Sequence, residues 1–87
     1  MRPNLWDFYG EAVLKEVAKA PPHVRADFVR LMNRLTTNPR RARAVRPLRT
    51  EPGGFTAPFD GGLLVYQVLA DYPRIHLLLV AWNPTGD

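Results

Sequence analysis

The chain contains no cysteine, which excludes disulfides and any thiolate metal site. Only two histidines are present and few acids lie near them, so no metal-ligand set can be recognised. No apolar run reaches the length of a membrane span, and the first residues lack a signal-peptide pattern. A cytoplasmic protein without a membrane partner is therefore expected. The glycine pairs Gly53-Gly54 and Gly61-Gly62 are isolated turns rather than a phosphate-cradling loop. Nothing in the chain calls for a cofactor, and no internal repeat or second domain is visible.

What remains is 87 residues, read as one domain spanning residues 1–87. A chain this short hides only about 60 to 65% of its unfolded surface, so a partner would add usefully to its stability. Charge is uneven. Residues 1–50 hold eleven Lys and Arg against four acids, a balance of +7, whereas residues 51–87 have a balance of −3. A basic half beside a near-neutral one suggests a polyanion or an acidic protein segment as partner.

Residues 54–82 read as three strands. Residues 55–59 are short and contain Pro58, which suits an edge or irregular strand. Asp60-Gly61-Gly62 is a hairpin signal, since glycine supplies the positive φ of tight turns. Residues 63–69 and 75–82 are apolar runs suited to central strands. Residues 70–74 form the turn between them.

The first half reads as helical. Residues 5–8 fit either a short strand or a helix start, Asn4 and Asp7 having capping spacing. From Tyr9 onward, Ala12, Val13, Glu16 and Val17 follow a helical period that ends before Pro21-Pro22. Pro22 suits the first turn of a second helix. There Val24, Phe28, Leu31 and Leu35 form one apolar stripe, with Arg25, Arg30 and Arg34 off it. The stripe is expected to face Leu64, Tyr66 and Val68 or their alternates on the sheet. Residues 40–49 follow as a connector with five arginines and no acid, and then a turn at Glu51-Pro52-Gly53-Gly54. The fold class is α+β: two N-terminal helices packed on a three- to four-stranded antiparallel sheet.

This order of elements resembles the RelE/ParE superfamily of bacterial toxins, and its RelE-like and YoeB-like ribonucleases best. Leu14-Lys15-Glu16 is similar to an apolar-Lys-acid run in the family's first helix. Pro47-Leu48-Arg49, followed by Gly54-Phe55, resembles the basic step before an aromatic strand start. Residues 62–68 (GLLVYQV) resemble the family strand written as an aromatic followed by R-L-V-Y-x-V. There are departures. Leu63 stands where the family has arginine. Thr56 and Pro58 stand at basic positions, and Arg46 at the glutamate of YoeB-like members. Trp82, Asn83 and Pro84 fall where a catalytic His, Arg or Tyr is usual. Only Arg49 matches a basic position cleanly.

The resemblance implies a toxin-like endoribonuclease (an mRNA interferase) that cleaves free or ribosome-bound mRNA without metal. It also implies a cognate antitoxin protein, with a homodimer as a further option. The alternatives are a ParE-like toxin that binds gyrase and a degenerate module that only binds its antitoxin. Metal-free RNA cleavage needs a base for the 2′-OH, an acid for the leaving oxygen and cations for the phosphorane. Arginine suits the last role through its planar fork. Arg46 and Arg49 are the candidates to hold the scissile phosphate, and Arg40, Arg41 and Arg43 to contact RNA. His76, Glu51 and Asp60 are candidates for proton transfer. Each also has a plainer reading: solvated connector arginines, an edge-of-core histidine, turn acids. His76 alternates with Leu77, so the two face opposite sides of their strand. Tyr66, Trp6 and Trp82 read as packing residues, and His23 as a surface one.

Overall fold

A computed structural model describes residues 6–59, 61–69 and 74–82 of the chain. Its elements run β1 (Asp7–Tyr9), α1 (Glu11–Ala18), α2 (Pro22–Thr37), β2 (Arg46–Pro47), β3 (Gly54–Phe59), β4 (Gly62–Leu69) and β5 (Arg74–Trp82). The sheet order is β1-β5-β4-β3-β2. β1 runs parallel to β5, and the other pairs are antiparallel. The sheet thus has five strands and mixed direction, where three or four antiparallel strands are expected from sequence. The two additions are a three-residue strand before α1 and a two-residue strand inside the arginine connector.

α2 forms as its pattern dictates. Pro22 occupies the first turn, where a missing N–H leaves no bond unmade. Val24, Phe28, Leu31 and Leu35 are buried together with Met32. They join Leu64, Tyr66, Val68, Ile75 and Leu77 from the sheet in one core cluster. Each such side chain contributes about 1.5 to 3 kcal/mol on burial. α1 adds Val13 and Val17. Among the described residues no helix is long and apolar enough to cross a membrane.

Gly10 joins β1 to α1 and has φ 149°. A Cβ there would sit 2.6 Å from Leu77 Cβ. Only glycine lets the chain turn this close to β5. It also leaves α1 without a side-chain cap: the helix starts at Glu11, with Gly10 at its N-cap. Asn4 lies outside the described residues.

β3 is not an edge strand. β4 flanks it on one side and β2 on the other. Pro58 is tolerated because β2 reaches only Thr56 and Phe55, so no ladder partner stands opposite it on that side. Within β4–β5 the register slips between Val65 and Tyr66, where Leu78 is the extra residue. That bulge keeps Ile75 and Leu77 on the core face at one end of β5. Toward the other end it turns Val80 and Trp82 to the same face, where they pack against the core.

Candidate functional site: the outer face of the sheet

Residues directly opposite one another on paired strands share a face. The helices cover the face that carries Ala57, Leu64, Tyr66 and Ile75, all fully buried. The other face is open among the described residues, and register builds it in rows. One row is Tyr9, His76, Gln67 and Gly54. The next is Leu79, Val65, Thr56 and Arg46. A third is Ala81, Leu63 and Pro58.

Glu51 reaches this face through a glycine. A Cβ on Gly54 would meet Glu51 Cβ at 3.1 Å and Cγ at 3.3 Å. The stem of Glu51 therefore fills the space that a side chain at position 54 would take, on the side shared with Gln67 and His76. The turn that brings it there is held by Gly54 N–H donating to Glu51 C=O (2.9 Å). Gly54 and His76 are two strand spacings apart, roughly 10 Å. Glu51 and His76 thus flank Gln67.

His76 is half-buried, and its neighbour Leu77 is in the core. The alternation expected from sequence holds. Its imidazole stacks on the Tyr9 ring at a centroid distance of 4.4 Å and an angle of 6°. The Arg74 guanidinium lies 5.5 Å from the centre of the same tyrosine ring.

The five connector arginines separate. Ala42 and Val45 tuck against the core and fix the path of the chain. Arg41 N–H donates to Asn38 Oδ1 (3.2 Å), closing the turn after α2. Arg40 lies over the Trp6 ring at 5.2 Å. Arg43 borders a hollow of about 390 Å³ with Asp27, Arg34, Ala44, Pro58 and Phe59. Arg40 and Arg43 therefore keep company with α2 and the start of the chain. Arg46 alone of the five lies in a row of the outer face. Arg49 is exposed in the turn that leads to Glu51. Asp60, Asn83 and Pro84 lie outside the described residues, as do residues 70–73 of the last hairpin turn. His23 is exposed, while Trp6 and Trp82 pack against the core. Among the described residues no three His, Asp or Glu side chains gather as a metal site.

Sequence reasoning assigned no role to Gln67 or Tyr9. Gln67 was findable, because it alternates with Tyr66 and must turn away from the core. Tyr9 was not, because its place beside His76 depends on a parallel pairing across more than sixty residues.

The architecture has known counterparts. The isolated E. coli RelE toxin superimposes with a TM-score of 0.77 at 25% identity, covering 88% of this chain and 83% of that one. Its fold is that of the RelE toxin superfamily. A double arginine-to-alanine mutant of E. coli RelE in the free state gives a TM-score of 0.75 at 25% identity, covering 90% of this chain and 83% of the other. The RelBE2 toxin–antitoxin complex from Mycobacterium tuberculosis gives 0.75 at 23% identity, covering 91% and 99%. No family model and no curated protein matches the chain. On this fold Leu63 is exposed on the outer face beside Ala81 and Pro58.

Proposed function

We propose that the chain is the toxin of a toxin–antitoxin pair and acts as an endoribonuclease on mRNA. The observation that carries this reading is that Arg46, Glu51 and His76 lie on one open face of a RelE-type sheet. A phosphodiester seated over Gln67 would have Glu51 on one side and His76 on the other. One of them takes the proton of the 2′-OH. The 2′ oxygen attacks phosphorus, the bond to the 5′ oxygen breaks, and the other group protonates that oxygen. The products are a 2′,3′-cyclic phosphate and a 5′-hydroxyl. Arg46, joined by Arg49 from the adjacent turn, stabilises the charge that builds on the phosphorane. Asp60 remains a further candidate for proton transfer. Arg40, Arg41 and Arg43 would meet the RNA backbone away from the reacting bond.

Purified protein incubated with end-labelled mRNA, with and without ribosomes, tests this reading. Discrete fragments ending in a cyclic phosphate are expected. Intact RNA under both conditions would contradict it.

A specific feature favours a second reading, a module that binds an antitoxin or gyrase without cleaving RNA. Leu63 and Leu79 are 42% and 61% exposed on the same face, an apolar band where the family's arginine is missing. Under either reading the antitoxin is an acidic segment drawn to the basic half of the chain. Its association rate should fall steeply with salt, since exposed charge pairs govern rate more than affinity. A cognate partner that binds equally fast at low and high salt would contradict the electrostatic part.

A further inference from the structure

Tyr9 takes no part in the core cluster. It is 40% exposed on the outer face of β1, the strand at the sheet's edge. Phe8, its neighbour, turns the other way and lines a groove with Leu14, Phe28 and Met32 on the helix side. Among the described residues no strand lies beyond β1. One face of the Tyr9 ring is covered by the parallel imidazole of His76, 4.4 Å away. That contact holds the phenol upright on the sheet, so little side-chain freedom is left to lose when a ligand stacks on it.

We infer that Tyr9, braced by His76, is a stacking platform for one unpaired base of a single-stranded RNA. The inference rests on the ribonuclease reading and deepens it. A flat aromatic ligand laid on the face of Tyr9 turned away from His76 would continue the stack begun by His76. Stacking of this kind tolerates any base, because every base has a π-face. The Arg74 guanidinium lies over the same ring, 5.5 Å from its centroid, and adds a positive charge at the stack. The row then leads inward from Tyr9 through His76 and Gln67 to Gly54 and Glu51. A strand anchored by one base at the edge would lie across that row, with its next phosphates over Gln67. The platform thereby sets which phosphate meets Glu51, His76 and Arg46.

The test is fluorescence anisotropy of a labelled short RNA at low salt with wild type, Tyr9→Phe and Tyr9→Leu, each checked for folding by circular dichroism. Tyr9→Phe keeps the ring and should bind within about twofold of wild type. Tyr9→Leu should bind about tenfold or more weakly, within the range measured for lost base stacking. An abasic site at one position of the RNA should weaken wild type by a similar factor and leave Tyr9→Leu unaffected, as a coupled pair requires. A second readout uses wild type alone: 2-aminopurine at that position should be quenched on binding. Equal binding by folded Tyr9→Leu would overturn the platform and leave the ribonuclease reading standing. So would an abasic penalty that persists in that variant, or 2-aminopurine fluorescence unchanged in a bound RNA. No RNA binding by wild type would overturn both.

Discussion

The phenol of Tyr66, in the middle of β4, donates a hydrogen bond to the carbonyl of Pro39, 2.5 Å away and 27 residues distant in sequence. Both residues are fully buried. The bond ties the residue just before the arginine connector to the centre of the sheet. Tyr66→Phe would leave the Pro39 carbonyl buried without a partner, at a cost of about 1 to 3 kcal/mol. Urea unfolding should show a lower midpoint with an unchanged slope. An unaltered midpoint would mean that water or another donor reaches that carbonyl.

The burial of the same phenol sets a pH dependence. Burial pushes the Tyr66 pKa well above its ordinary value of 10.0. Below pH 10 the phenol is protonated in both folded and unfolded chains, and its contribution is fully present. Above that pH the unfolded chain releases the proton while the folded chain keeps it. The unfolded state then binds fewer protons, so stability falls as pH rises, by up to about 1.4 kcal/mol per pH unit for this group. Unfolding curves between about pH 9 and 12 should show that alkaline loss in wild type and a shallower one in Tyr66→Phe. Identical slopes would place the loss elsewhere.

Phe28 tests the core. It is 4% exposed and meets Phe59 edge-on at a centroid distance of 5.8 Å, which locks α2 onto β3. Phe28→Ala should cost about 3 to 5 kcal/mol. Small domains have only about 5 to 15 kcal/mol in all, so a large drop in melting temperature is expected. A variant that melts like wild type would show that the stripe of α2 is not the core contact described.

Both helices and the core stripe of α2 were legible in the sequence, because each follows a local period of burial, whereas the alternation of β4 left open whether Leu64, Tyr66 and Val68 or their alternates turn inward. β1 was not settled. Its three residues are all exposed, so it carries no apolar alternation, and its partner lies at the far end of the chain. β2 was hidden for a similar reason: two residues, one of them proline, in an arginine-rich stretch. The candidate site was legible as residue types but not as an arrangement. The five connector arginines read as one group, yet the anchoring of Ala42 and Val45 holds Arg40 and Arg43 beside α2 and leaves Arg46 to the outer face. Glu51 reached His76's row only through the missing side chain of Gly54. Register, which fixes such meetings, is a property of paired strands and not of either strand alone.

The central claim is that the outer face cleaves RNA with Arg46 and Arg49 stabilising the scissile phosphate. Single-turnover cleavage of a labelled RNA, with ribosomes present, tests it most directly in wild type and in an Arg46→Ala/Arg49→Ala double variant. Both arginines are exposed, so circular dichroism should find the double variant folded. Losing one phosphate-stabilising donor typically costs about 100- to 1000-fold in rate, and the double variant should lose at least that much. Undiminished cleavage by the folded double variant would contradict the assignment.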